Sequence, residues 1–219
     1  MKRVYLIRHG KTLANERLLY CGFTDLPLSE QGKADLRRLR CMMRYPQISG
    51  LHVYTSGLRR TEQTLEELWG PVPHTALPEL REMNFGIFEM RCYKELGAVA
   101  EYRDWIAGDN EKNRCPGGES GEEMALRVTA AFHRLVRREG DCLMVIHGGP
   151  IAAIMASLFP KEARTRYDWQ PSGGMGYRID FDGERPGAWA AIPTAGSPGP
   201  ESAGKRGKAG DESAAFSGI

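Results

Sequence analysis

Five short apolar runs constrain the fold of this 219-residue chain more than any other feature: Val4–Ile7, Leu51–Tyr54, Cys142–Ile146, Tyr177–Phe181 and Trp189–Ile192. Each is rich in β-branched or aromatic residues and too short for a buried helix, so each reads as a strand. Between them the apolar spacing turns helical. Ser29 is placed to cap a helix whose apolar positions continue through Ala34, Leu36, Leu39 and Met43. Ser120 and Glu123 form an S-x-x-E capping box ahead of Met124, Val128, Ala131, Phe132 and Leu135. A third helix is expected near Gly57 and a fourth after His147. Strands alternating with helices predict an α/β fold, a three-layer α/β/α sandwich around a mostly parallel sheet.

Composition sets the boundaries of that fold. With 41% hydrophobic and 26% charged residues the chain can bury a core. The expected domain runs over 1–193. Of the 26 residues in the tail 194–219, 17 are Gly, Ala, Ser or Pro. Such a stretch buries too little apolar area to offset its ordering entropy and is expected to be disordered. A net charge of +2 supplies no strong field for nucleic acid or an anionic membrane. The longest largely apolar run, Pro150–Pro160, is about half a membrane span. The run after Met1-Lys2-Arg3 is too short for a signal-peptide core, so a cytoplasmic location is expected. Five cysteines with no C-x-x-C pair argue against both a disulfide framework and a zinc site.

Open α/β sheets bind ligands beyond the carboxyl ends of their strands, so the residues after each run carry the information about function. Val4–Ile7 is followed by Arg8-His9-Gly10. Leu51–Tyr54 is followed by Thr55-Ser56-Gly57-Leu58-Arg59-Arg60. Cys142–Ile146 is followed by His147-Gly148-Gly149. If these strands are neighbours, two histidines and two or three arginines converge on one rim. The arginine fork matches phosphate oxygens, and its charge beside two imidazoles repels a divalent metal. Gly10 and Gly148-Gly149 let backbone N–H groups approach an anion, at the positive end of the helix expected after His147. A neutral imidazole can act as a nucleophile toward phosphorus, and a carboxylic acid is then needed to protonate the leaving oxygen. His52, His74 and His133 have no such neighbours and read as structural.

These residues resemble the histidine phosphatase superfamily, the phosphoglycerate-mutase-like group. Arg8-His9-Gly10-Lys11-Thr12 is similar to its R-H-G-x-T signature, with Asn15 where the family keeps an asparagine. Cys21-Gly22-Phe23-Thr24-Asp25-Leu26-Pro27-Leu28-Ser29 with Gly32, then Ser56-x-Leu58-x-Arg60 ending in Gln63-Thr64, continue the series. Leu80-x-Glu82 with Gly86 and Phe88-Glu89, Pro116-Gly117-Gly118-Glu119-Ser120 and Ile146-His147-Gly148-Gly149 complete it, in the family's order.

The resemblance implies a role at each position. His9 would be the phosphorylated nucleophile. Arg8, Arg60 and His147 would hold the phosphoryl oxygens, assisted by Asn15 and the Gly148 backbone. Glu82 would be the general acid and base, selected by motif spacing over its neighbours Glu79 and Glu89. Cys21 and Gly22 would line the substrate mouth. Neither a metal nor another cofactor is expected. Three departures bear on specificity: Lys11 adds a positive charge near the mouth, Thr61 replaces the usual alanine, and Met90 replaces the glycine after Phe88-Glu89.

The expected partner is a small-molecule phosphomonoester, and the expected activity is its hydrolysis. The family's mutases carry a longer insertion before the second histidine, whereas here only 33 residues separate Glu82 from Pro116. The segments around Tyr20–Asp25 and Phe85–Glu89 are similar to α-ribazole-phosphate phosphatases and their broad-specificity relatives. Tyr20, Phe23, Phe88, Tyr93, Tyr102 and Trp105 are candidates to stack on a heterocyclic base at the mouth. A phosphoglycerate mutase is the alternative activity. A non-catalytic phosphate-binding module is the alternative of another class, and intact His9, Glu82 and His147 argue against it.

Overall fold

The computed structural model describes residues 1–109 and 111–195. The chain runs β1 (Lys2–Arg8), α1 (Leu13–Glu16), α2 (Glu30–Met42), β2 (Met43–Arg44), β3 (His52–Thr55), α3 (Arg59–Trp69) and β4 (Thr75–Ala76). Two 3-10 turns at Pro78–Leu80 and Gly86–Phe88 follow. Then come α4 (Tyr93–Leu96), α5 (Ala100–Ile106), α6 (Gly121–Val136), β5 (Cys142–Ile146), α7 (Gly148–Leu158), β6 (Gly176–Asp182), β7 (Arg185–Ile192) and β8 (Thr194–Ala195).

Six strands form one sheet in the order β4-β3-β5-β1-β6-β7. The first four are parallel and the last two antiparallel, so the expectation of a mostly parallel sheet holds. Alternation along the central strands makes the sandwich. Cys142, Met144 and Ile146 of β5, with Val4 and Leu6 of β1, enter one core with Met124, Val128 and Phe132 of α6 and Ile151, Ile154 and Met155 of α7. Leu143 and Val145, with Ile7 and Val53, enter the other with Leu36 of α2 and Leu65 and Leu68 of α3. Because side chains alternate faces with period two, one continuous apolar run serves both cores.

The helix starts follow the capping chemistry read from sequence. Ser29 Oγ accepts from Gly32 N–H at 3.0 Å. At α6, Ser120 Oγ accepts from Glu123 N–H at 3.1 Å while Glu123 returns the bond to Ser120 N–H at 2.9 Å. No helix among the described residues is long and apolar enough to cross a membrane. The tail differs from expectation at its start: Thr194–Ala195 pair antiparallel with Met43–Arg44. The remainder, 196–219, lies outside the described residues.

Candidate active site

The β1–β5 register decides where the chemistry collects. Arg8 pairs with Ile146, and His9 N–H donates to the Ile146 carbonyl at 2.9 Å, so His9 and His147 leave the sheet on adjacent strands. Their rings stand edge to face with centroids 5.0 Å apart. On the other side of β5, β3 delivers Ser56, and the first turn of α3 delivers Arg60. A cavity of about 160 Å³ opens over these strand ends, walled in part by Arg8, His9, Asn15, Arg60, Glu82 and Gly149.

His9 is buried and its Nδ1 lies 2.6 Å from the Gly10 carbonyl oxygen. A carbonyl only accepts, so the neutral ring carries its proton on Nδ1 and its lone pair on Nε2. Burial, reinforced by the Arg60 and Arg8 guanidinium groups, holds His9 well below the ordinary histidine pKa. A neutral imidazole with a free Nε2 beside two guanidinium groups suits attack on a phosphoryl group.

Arg60 is 1% exposed, whereas its neighbour Arg59 is solvent-facing. The Arg60 guanidinium donates through Nη1 to the Thr24 carbonyl at 2.8 Å, through Nη2 to the Gly22 carbonyl at 2.6 Å, and through Nε to His147 Nδ1 at 3.3 Å. Three acceptors thus fix its plane, and one N–H on each terminal nitrogen stays uncommitted by them. Arg8 is steadied by donation from Nη1 to the Pro171 carbonyl at 2.8 Å.

Glu82 meets the start of α7. Its Oε2 accepts from Gly149 N–H at 2.9 Å and its Oε1 from Met83 N–H at 3.0 Å. The segment carrying it is clamped by Arg127 of α6, whose Nη1 donates to the Glu79 and Arg81 carbonyls at 2.9 and 3.1 Å. Arg127 also binds Glu119, through Nε at 2.9 Å and Nη2 at 2.8 Å. Glu82 is thereby held over the cavity. Neither of its sequence rivals reaches it: Glu79 pairs with Arg134 at 3.0 Å, and Glu89 is occupied by backbone. The Glu89 carboxylate accepts from the N–H groups of Gly22, Phe23, Thr24 and Phe85, and from Thr24 Oγ1 at 2.6 Å. It organises the loop whose carbonyls orient Arg60. The sequence placed Glu89 in the motif series and as a rival acid without pointing to this role, and gave no sign of Arg127.

The other expected residues divide. Asn15 and Cys21 line the cavity. The Asn15 oxygen accepts from Thr12 N–H at 2.9 Å, so the side chain offers a ligand only its Nδ2–H donors. Burial raises the Cys21 thiol's pKa, keeping it protonated. Gly22 and Gly148 are not among the cavity walls. Gly22 is pressed against the Met83 carbonyl, where a Cβ would come within 1.6 Å, and Gly148 packs on Arg8, whose Cζ would lie 3.1 Å from a Cβ. His147 is fully buried behind Arg60 rather than on the cavity wall, and burial together with Arg60, His9 and Arg8 lowers its pKa well below the ordinary range.

The mouth also differs from expectation. Tyr20 lines it together with Phe85, the rings 5.0 Å apart. Phe88, Tyr102 and Trp105 are instead core residues behind them, with Tyr102 Oη 2.8 Å from Tyr20 Oη. Phe23 lies beneath the Arg81 and Arg127 guanidinium groups and Tyr93 is exposed; neither is a wall of this cavity. Lys11 pairs with Asp35 of α2 at 3.2 Å and is not a wall either. Two further walls, Arg166 and Gln170, come from a segment without a motif. That segment returns to the site because Gly174 N–H donates to the Arg8 carbonyl at 2.8 Å and because Trp169 is buried against Trp189, with Arg164 stacked on both.

Comparison with known proteins agrees with this geometry. The adenosylcobalamin/alpha-ribazole phosphatase of Salmonella typhimurium is 31% identical over 186 residues, covering 82% of this chain and 90% of that protein. A protein of Erwinia tasmaniensis named "Probable phosphoglycerate mutase GpmB" is 32% identical over 173 residues, covering 76% of this chain and 80% of the relative. The crystal structure of the alpha-ribazole phosphatase from Shigella flexneri superimposes with a TM-score of 0.76 at 26% identity, covering 89% of this chain and 98% of that one. The model of the histidine phosphatase superfamily (branch 1) matches residues 4–189, and the chain belongs to that superfamily.

Proposed function

We propose that this protein is a phosphomonoesterase that works through a phosphohistidine on His9 and uses arginines rather than a metal ion to balance phosphoryl charge. The observation that carries this reading is the His9 tautomer. With Nδ1–H committed to the Gly10 carbonyl, Nε2 offers its lone pair in a cavity shared with Arg8, Arg60 and Glu82. In the first step Nε2 attacks phosphorus, the bond from phosphorus to the ester oxygen breaks, and protonated Glu82 gives that oxygen its proton. In the second, the Glu82 carboxylate takes a proton from water as its oxygen attacks phosphorus. The nitrogen–phosphorus bond breaks, releasing phosphate and restoring neutral His9.

Within that class the preferred substrate is a phosphomonoester bearing a planar or apolar leaving group, with α-ribazole 5'-phosphate as the specific candidate. The Tyr20–Phe85 wall and the names of the Salmonella and Shigella relatives support it. The Erwinia relative's name supports a second reading, a mutase, in which a substrate hydroxyl rather than water takes the phosphoryl group. The test is phosphate release from an aryl phosphate with a chelator present, native protein beside His9→Ala. Chelator-resistant turnover that disappears in the variant is expected. Activity retained in His9→Ala refutes His9 as nucleophile. No turnover by the native protein, with positive bisphosphoglycerate mutase activity, selects the second reading.

A further inference from the structure

We infer that the Glu111–Arg166 ion pair selects among leaving groups. It makes Arg166 a charge-balanced hydrogen-bond donor at the mouth, which favours an uncharged, hydroxyl-bearing leaving group, a sugar or polyol, over one carrying a second anion. The inference rests on the phosphomonoesterase reading and names the substrate class within it. The charged side chains on the cavity walls are Arg8, Arg60, Arg166 and Glu82. A phosphoryl dianion balances two guanidinium groups, and Arg8 and Arg60 are the two that act on His9. A third, unbalanced arginine would make the mouth a seat for a further anion. Arg166 is not unbalanced, because its Nη1 donates to Glu111 Oε1.

Glu111 is built into its place. Its own carbonyl accepts from Glu122 N–H at 3.0 Å, which anchors residue 111 on the first turn of α6. Its carboxylate fills the space left by Gly121, where a Cβ would overlap Oε2 and stand 3.2 Å from Arg166 Nη1. Glu111 itself is not a cavity wall, so it cancels the charge of Arg166 from outside the cavity. Among the described residues Glu111 is the one hydrogen-bond partner of the Arg166 side chain, whose other N–H groups are left for a ligand. Gln170, on the same wall, adds an amide that both donates and accepts. Hydroxyl groups satisfy these two side chains in either direction. A carboxylate must instead compete with Glu111 and meets no net positive charge. The Tyr20–Phe85 wall stays available to a planar or apolar portion of the same leaving group.

Glycerol 3-phosphate and 3-phosphoglycerate differ in one group, a hydroxymethyl against a carboxylate, and so isolate the charge. Dissociation constants are measured on His9→Ala protein, which cannot form the phosphohistidine, and kcat/KM on protein with His9 intact. With the ion pair in place both should favour glycerol 3-phosphate, and a preference for 3-phosphoglycerate overturns the inference. Glu111→Gln keeps an oxygen for Arg166 but removes the opposing charge. It should strengthen 3-phosphoglycerate by about five- to tenfold, a gain that shrinks with added salt, and change glycerol 3-phosphate by less than about twofold. Turnover of p-nitrophenyl phosphate should hold, and adding Arg166→Gln should cancel the gain. A ratio unmoved by Glu111→Gln overturns the inference, as does a gain that survives Arg166→Gln. Parallel losses on all three substrates overturn it too, because they mark the pair as structural. Absence of turnover refutes the phosphatase reading alone and leaves the dissociation constants to decide the selection.

Discussion

Gly149 is the residue through which α7 meets Glu82, and an alanine there tests whether the position of the carboxylate matters, its presence being unchanged. A Cβ at 149 would sit 2.2 Å from Glu82 Oε1, 3.1 Å from Cδ and 3.2 Å from Oε2. Ordinary contact begins near 3.4 Å, so the carboxylate must retreat by about 1 Å, giving up its bond from Gly149 N–H. It is the far end of a flexible side chain and moves without disturbing backbone. A misplacement of ~1 Å costs on the order of 10²-fold in rate, within the range of about 10²–10⁴ that general acid catalysis supplies. In stability the charge-assisted hydrogen bond costs ~1.5–3 kcal/mol, partly offset by the ~0.5–1 kcal/mol gained on replacing glycine in a helix. The net change of about 0.5–2.5 kcal/mol should lower Tm by about 1–10 °C in a domain of this size. The assay compares kcat/KM for an alkyl phosphate with that for p-nitrophenyl phosphate. The alkyl substrate should lose about 10²-fold, near 2.7 kcal/mol, and the aryl substrate less than about tenfold, because its leaving oxygen needs little protonation. Equal losses on both substrates, or none on either, refute the assignment of Glu82 as the acid.

Two further outcomes follow from groups already described. His9 and His147 are both held well below the ordinary histidine pKa, so their neutral forms stabilise the fold fully above the unfolded value near 6.5, and that stability is lost as pH falls below it. Between about pH 6.5 and 5.5 the pair should remove about 2 kcal/mol, measured by urea unfolding, and His147→Gln should show a shallower dependence; an unchanged slope refutes the burial argument. Met90 has φ +61°, the left-handed region that glycine occupies freely, so Met90→Gly should raise stability by about 0.5–1 kcal/mol in the same assay, and a loss of stability would show that its side-chain packing outweighs the backbone strain.

That Arg8, His9 and His147 come together was legible in the sequence because they sit at the ends of strands that the apolar runs define. Once β1 and β5 pair as Val4 with Cys142 through Arg8 with Ile146, Arg8, His9 and His147 have no freedom to be elsewhere. Elements escaped the sequence where they were too short for periodicity: β4 has two residues, α1 and α4 four each, and β8 two at the start of a glycine-rich tail. The loop-closing role of Glu89, and Arg127 altogether, escaped for another reason. Each gathers backbone groups from segments far apart in sequence, Glu89 joining 22–24 to 85 and Arg127 joining 79–82 to 119, and no local pattern records which carboxylate or guanidinium a distant loop will close upon.

That division has a consequence for how the site can vary. The charged groups that wall the cavity are oriented by buried partners: Arg60 by the Gly22 and Thr24 carbonyls that Glu89 gathers, and Glu82 by Arg127 on its backbone. The mouth is built otherwise, from Tyr20, Cys21, Phe85, Arg166 and Gln170, which lie in connecting segments outside the strands. Among the described residues Arg166 is tethered there only by Glu111, at a partly exposed ion pair, a class of contact worth about 0–1 kcal/mol. Substitution of Arg166 should therefore cost little stability and leave Arg8, His9, Arg60 and Glu82 in place, whereas substitution of Arg127 removes the clamp on the segment that carries Glu82.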